Sequence, residues 1–324
     1  MRKKGFSYGI TILFVMFFAF ILGNNAMGAE SRTIVVDGST TVFPIASVAS
    51  DFYMDVNLDD TITVTATGSG TGIASLIAGT ADIAMASREM KDSEKVDLPD
   101  WNEITVAGDG IAIIVHPSNS LTQITLVEVM GIYNGTYSNW NEIGGPDLEM
   151  VAINRESTSG TRGFFHEFVM NETDFREDAQ IVEKSSNGAV ATEVGNTPAA
   201  VGYVGLGYLS EYIKGLLVKN DVGNYIEPTV QNVLDEVYPV ARSLYFYTDG
   251  APVDGSLEQD FIDYILSPTG QALVADEGFV PVGEVGDLPT IVEGNTIPGF
   301  ALWLLLPMSL GSSVLIVYKI KNKN

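Results

Sequence analysis

The chain of 324 residues has no cysteine, two histidines and only 17 basic residues against 41 acidic ones. Without thiols there can be no disulfide, no thiolate metal site and no lipid attached to a cysteine. The histidines, His116 and His166, stand 50 positions apart, and no His/Asp cluster has metal-ligand spacing. Metal-assisted hydrolysis and histidine-activated nucleophiles therefore have little to build on. Within one helix, His166 would lie two turns beyond Ser159, too far for a hydrogen bond of about 3 Å. The shortage of bases, with a net charge of −24, argues against nucleic acid or anionic lipid as a partner.

Near both ends of the chain, next to short basic clusters, lie long apolar runs without charge. Arg2, Lys3 and Lys4 precede an apolar stretch from about residue 10 to 22, followed by small residues with Ala26-x-Gly28 as a cleavage site. That order predicts a signal peptide over 1–28, with an uncleaved anchor as the alternative. Residues 297–318 are uncharged, and at ~1.5 Å per residue their length matches a ~30 Å hydrocarbon core. The basic tail 319–324 favours the cytoplasmic side. The expectation is an exported segment, a linker over 288–296 and a single C-terminal transmembrane anchor. Segment 29–296 holds all 41 acids but 11 bases, a net charge of −30. Two sequons, at Asn134 and Asn171, are permitted glycosylation sites.

What the exported segment does have is a recurring order of strand, Gly/Ser/Thr loop and helix. "RTIVV" leads to "DGSTT", "TITVTA" to "TGSGTG", and "MVAIN" to "RESTSGTRGFF". Alternating strands and helices predict an α/β fold with a largely parallel sheet. The loops 37–41, 67–72 and 155–161 would each leave a strand and open a helix. A helix start exposes unpaired N–H groups and the positive end of its dipole, which suits a compact anion. The alternative for any one loop is an ordinary N-cap. "GSGTG" is not a dinucleotide fingerprint, and no lysine makes it a P-loop.

Taken in order, "DGSTTVFPIA", "TGSGTGIASLIAGTADIAMASREM", "LVEVMGIYNGTYSNWNEIGG", "RESTSGTRGFF", "SNGAVATEV", "AAVGYVGLGYL" and "YPVARSLYFYTDG" resemble the phosphate-binding, substrate-binding subunits of phosphate ABC importers. The resemblance covers about residues 33–283. It implies a two-lobed venus-flytrap fold, type II among periplasmic binding proteins, with discontinuous lobes. Lobe one would be 31–115 plus 241–287 and lobe two 116–240, with crossings at 115–117 and 238–241. It implies inorganic phosphate as ligand, an ABC permease and ATPase as partners, no cofactor and no catalysis. Ser39, Thr40 and Thr41, then Ser69, then Arg155, Ser159, Gly160 and Thr161 would wall the site, with Arg155 pairing two phosphate oxygens. Arg162 would point away or brace the rim.

One departure bears on selectivity. Where well-known members carry an aspartate that accepts the ligand's proton, this chain has Ser87, followed by Arg88. Asp109 is the candidate substitute, and its alternative role is a turn residue before Gly110. A site without an acid would tolerate sulfate-like anions better. A surface-anchored sensor or interaction protein is the competing reading of the same fold.

Overall fold

The computed structural model describes residues 31–289. The expected signal peptide, the apolar run 297–318, the tail 319–324 and all but the start of the linker lie outside the described residues. Among the described residues no helix is long and apolar enough to cross a membrane.

The chain opens with β1 (Arg32–Gly38), α1 (Phe43–Val56), β2 (Asp60–Thr65), α2 (Ser69–Ile77), β3 (Ile83–Ala86) and α3 (Asp92–Asp97). The long strand β4 (Trp101–Val115) follows, then β5 (Gln123–Ile124) and α4 (Leu126–Tyr133). The middle of the chain supplies β6 (Val151–Arg155), α5 (Gly160–Phe168), β7 (Ile181–Lys184), α6 (Asn187–Asn196) and β8 (Ala200–Gly205). Short pieces β9 (Lys214–Gly215), β10 (Leu217–Lys219), β11 (Tyr225–Ile226) and α7 (Val230–Leu234) lead to β12 (Ala241–Asp249), α8 (Leu257–Leu266) and α9 (Pro268–Asp276).

The main sheet runs β2-β1-β3-β12-β4-β8-β6-β7, with β9 paired to β4, and β11-β10-β5 form a second small sheet. It is mixed rather than largely parallel. β1 pairs parallel with β2 and β3, and β6 with β7 and β8, as the strand-loop-helix units require. β12 runs antiparallel to β3 and β4, and β4 antiparallel to β8. These antiparallel strands join the two halves, and no repeated motif announces them.

β4 decides where the halves meet. Its residues up to Gly110 pair with β12, and those from Ile111 to Val115 pair with β8. The apolar packing divides at the same place. Val106 and Ala107 join the core of β1, α1, α8 and α9, whereas Ile111, Ile113 and Val115 join that of α4, β6 and α5. The first crossing therefore lies near 108–111, upstream of the expected 115–117. An unbroken apolar run reads as one strand, and sequence does not say that its two ends have different partners. The chain returns to the first half at Val240 and Ala241, where Ile111 N donates to Val240 O at 2.8 Å. The two crossings are thus hydrogen-bonded neighbours.

Candidate functional site

The three expected loops converge between the two lobes, and each helix start depends on close backbone packing. Gly38, at φ +136°, ends β1 where a Cβ would lie 2.3 Å from Met85 O, so only glycine lets the chain turn into 39–41. Ser39 N then donates to Met85 O at 2.9 Å, and Ser39 Oγ accepts from Thr41 N at 3.1 Å. Asp37 ties this turn to the next loop by accepting from the hydroxyls of Thr65, Thr67 and Ser75. Across the cleft, Gly70 N donates to Thr158 O at 2.9 Å, so loops 67–72 and 155–161 touch. A Cβ on Gly160 would sit 2.2 Å from Ser69 Oγ and 2.7 Å from Ser87 Oγ. That position must be glycine for the α5 start to reach the opposite lobe.

Polar side chains line the junction, and most of them are buried. Ser39, Thr40, Thr41, Ser69, Ser87, Asp109, Arg155, Ser159 and Thr161 are all below a tenth exposed. Thr41 Oγ1 and Thr161 Oγ1 face each other at 3.0 Å across the lobes. Ser69 Oγ accepts from Ser87 N at 3.1 Å and lies 3.3 Å from Ser87 Oγ. Ser159 caps α5, its Oγ accepting from Arg162 N at 3.2 Å, so its N-cap role and its place in the wall coincide.

The arginines separate into two kinds. Of the six among the described residues, Arg32, Arg88, Arg162, Arg176 and Arg242 each have a carboxylate at 2.6–2.8 Å. Arg155 has none within ion-pair distance among the described residues, although it is 1 % exposed. Its Nε donates to Lys184 O, and its Nη2 to Thr40 Oγ1 and Ser185 O, at 3.0–3.2 Å. Its Nη1 is buried with no protein partner. Burial, and then the nearby Arg242 charge, hold this guanidinium down at about 10. A buried cation with an unpaired donor is costly unless an anion answers it.

Arg242, absent from the expected site, forms the floor. It sits directly opposite Asp109 in the β12–β4 ladder, and its Nε and Nη2 donate to Asp109 Oδ2 at 3.1 and 2.8 Å. Its Nη1 donates to Ser87 O at 2.9 Å, and its Nη2 also reaches Thr161 Oγ1 at 3.2 Å. Asp109 Oδ1 accepts from Leu206 N at 3.0 Å, so both carboxylate oxygens already have donors. Burial pushes Asp109 up and Arg242 down, and their contact opposes both shifts, which favours the ion pair. Asp109 is thus engaged as the counter-charge of Arg242, and each of its oxygens already accepts a protein donor.

Arg88 is likewise engaged. Its two terminal nitrogens hold the Glu94 carboxylate at 2.7 and 2.8 Å, while its stem lies against Gly163 of the other lobe. Arg162 braces the rim, donating to Arg155 O and Glu183. Asn187 is a second site residue that no sequence pattern marks. It opens α6 after the Ser186 cap, is fully buried, and donates to Thr40 Oγ1 and Thr41 Oγ1 at 3.1 and 2.9 Å. Both omissions lie inside quoted motifs, "SNGAV" and "VARSL", but a fourth strand-to-helix loop and a lone strand arginine carry no distinctive spacing. Tyr208 closes the wall by donating to Thr40 O. His166 packs on Phe175 and His116 on Ser118, both away from this junction. No group of three or more metal-ligating side chains exists among the described residues.

The arrangement offers hydroxyls from both lobes and one uncompensated guanidinium to a small guest, with no metal centre or nucleophile–base pair beside them. Comparison with known proteins gives it a lineage. The profile of the PBP superfamily domain matches residues 24–269. The "Phosphate-binding protein PstS" of Borreliella burgdorferi is 32 % identical over 281 residues, covering 84 % of this chain and 98 % of the relative. A crystal structure from Clostridium perfringens, described as a phosphate ABC transporter substrate-binding protein with bound phosphate, superposes with a TM-score of 0.70. It is 31 % identical, with 78 % of this chain and 100 % of that one covered. An ABC-type phosphate transport receptor from Vibrio cholerae has a TM-score of 0.63 at 28 % identity, covering 77 % and 100 %. The chain belongs to the PBP superfamily, among its phosphate ABC transporter substrate-binding proteins.

Proposed function

We propose that this chain captures inorganic phosphate between its two lobes and delivers it to the permease and ATPase subunits of an ABC importer. The single observation that carries this reading is Arg155: a buried guanidinium with one unpaired nitrogen and no carboxylate, in a chain where acids outnumber bases 41 to 17. A tetrahedral oxyanion would fill that vacancy of charge and accept from the surrounding hydroxyls. The names of the relatives point to the same ligand. Capture by closure of the lobes about the paired crossings at 108–111 and 240–241 fits the contacts that bridge the cleft, and the lobes are then about 31–109 with 241–287, and 110–240.

Export and tethering belong to the same proposal. They are supported by the basic-apolar-small order of 1–28 and by the uncharged run 297–318 before a basic tail. One observation favours a broader ligand range. Ser87 stands where an acid is expected, and both Asp109 oxygens are occupied.

Calorimetric titration with phosphate and then sulfate, at about pH 6 and about pH 8, tests the reading. Phosphate binding is expected, together with measurable sulfate binding. Heat from neither anion would remove the proposal and leave the fold with a sensing or interaction role.

A further inference from the structure

The hydroxyls of the cleft form one connected set, and counting donors and acceptors through it fixes the direction of each proton. A threonine hydroxyl has one O–H and two lone pairs, whereas guanidinium and carboxamide nitrogens only donate. Thr40 Oγ1 accepts from Arg155 Nη2 and Asn187 Nδ2, both at 3.1 Å. Its lone pairs are filled, so its own proton is left for a group in the cleft. Thr41 Oγ1 accepts from Asn187 Nδ2 at 2.9 Å. Arg242 Nη2 gives one proton to Asp109 Oδ2 and shares its other between Thr161 Oγ1 at 3.2 Å and Thr41 Oγ1 at 3.4 Å. The Thr41 proton completes this arrangement by pointing at Thr161 Oγ1, 3.0 Å away. With the Thr41 proton and the nearer share of the Arg242 proton on Thr161 Oγ1, its own proton too is left for the cleft.

The orientation of the Asn187 amide is not arbitrary. Its Oδ1 accepts from Gly205 N at 3.4 Å, and the flipped amide would set a donor against that N–H and an acceptor against both threonines. Asn187 belongs to lobe two, Thr40 and Thr41 to lobe one, so these bonds form only when the lobes meet.

We propose that Asn187 is a positioning residue that sets ligand specificity, making Thr40 directly and Thr161 through Thr41 into pure donors for the unprotonated oxygens of a tetrahedral oxyanion. The idea rests on the phosphate-capture reading and deepens it. A proton carried by the ligand must then be accepted elsewhere. Ser87 Oγ, with Ser69 Oγ as its one side-chain contact, has room to accept, as does Ser159 Oγ, which takes only Arg162 N.

Without Asn187 the threonines regain free lone pairs, which a proton-bearing phosphate can use and sulfate cannot. The test titrates the full chain and the variants Asn187→Ala, Thr41→Val and the double variant with phosphate and with sulfate, each checked by thermal melting. Asn187→Ala is expected to weaken phosphate about tenfold and sulfate by several times more, shifting the ratio toward phosphate. In the Thr41→Val background its effect shrinks by about threefold or more, because part of it acts through Thr41. Equal losses for both anions that multiply with Thr41→Val, or no loss at all, overturn the proposal.

If Asn187→Ala does not fold, Asn187→Asp decides. The added buried negative charge weakens both anions alike, which is all that a packing role predicts. The proposed role also shifts the ratio toward phosphate, because the carboxylate accepts from Thr40 and Thr41 and turns their lone pairs to the ligand. A folded Asn187→Asp that binds both anions near-normally, or loses both in equal proportion, therefore overturns it too. Wild-type protein that binds neither anion sinks the phosphate reading itself, a result distinct from either of these.

Discussion

On the outer edge of lobe one, Arg32 lies against two carboxylates, Asp60 at 2.6 Å and Asp260 at 2.7 Å, whereas in the cleft Arg155 lies against none. The partly exposed arginine is neutralised twice and the buried one, among the described residues, not at all. Desolvation alone would favour the reverse, since an unpaired charge costs most where water is absent. The difference shows that a net charge of −24 does not set the sign of the cleft. Short-range donors set it, and the surface charge is screened beyond about 8 Å. Arg242 stands between the two cases. It is as buried as Arg155 but has Asp109, so the inner site of two guanidiniums and one carboxylate keeps a single positive charge.

The sharpest way to break this contrast is to unpair the second arginine. Asp109→Ala leaves Arg242 buried without its carboxylate, and a loss of about 3–5 kcal/mol in unfolding free energy is expected by denaturant titration. Arg155→Ala does the opposite, removing the cation that lacks a partner. Phosphate binding should weaken by about 2 kcal/mol or more, roughly thirtyfold, while the melting temperature holds or rises. Unchanged affinity would take the α5 start out of the site.

Outside the cleft the effects should be smaller. Glu258 is raised to about 7, first by burial and then by Asp82 and Asp249. Its folded value lies above its unfolded one, so it costs nothing in acid and destabilises progressively as pH rises from about 4.5 to about 7. Glu258→Gln should flatten that slope in a series of melts, and an unaltered slope would assign it to other groups. Glu183→Gln, which breaks only the half-exposed pair with Arg162, should cost less than about 1 kcal/mol and leave anion affinity unchanged.

The three loops were legible because Gly, Ser and Thr between a β-branched strand and an amphipathic run have few other uses. Helix starts at Phe43, Ser69 and Gly160 follow from them directly. What was not legible involves contacts rather than local pattern. That Asp109 faces Arg242 depends on β4 and β12 being antiparallel partners 133 residues apart. That Asn187 reaches Thr40 and Thr41 depends on the lobes being together. Arg88 reads as a cleft cation in sequence, and only the fold of α3 brings Glu94 to it.

The pairing of the two crossings has a mechanical consequence. Gly110 is in register with Ala241, and Ile111 N bonds Val240 O, so the halves are joined by a two-stranded ribbon rather than by two separate threads. Such a ribbon resists stretching and sliding but yields to twist and bend, as antiparallel pairs generally do. On the proposed closure, the jaws would part as one rotation about this ribbon, and the hydroxyls of the cleft would be released or gripped in the same stroke.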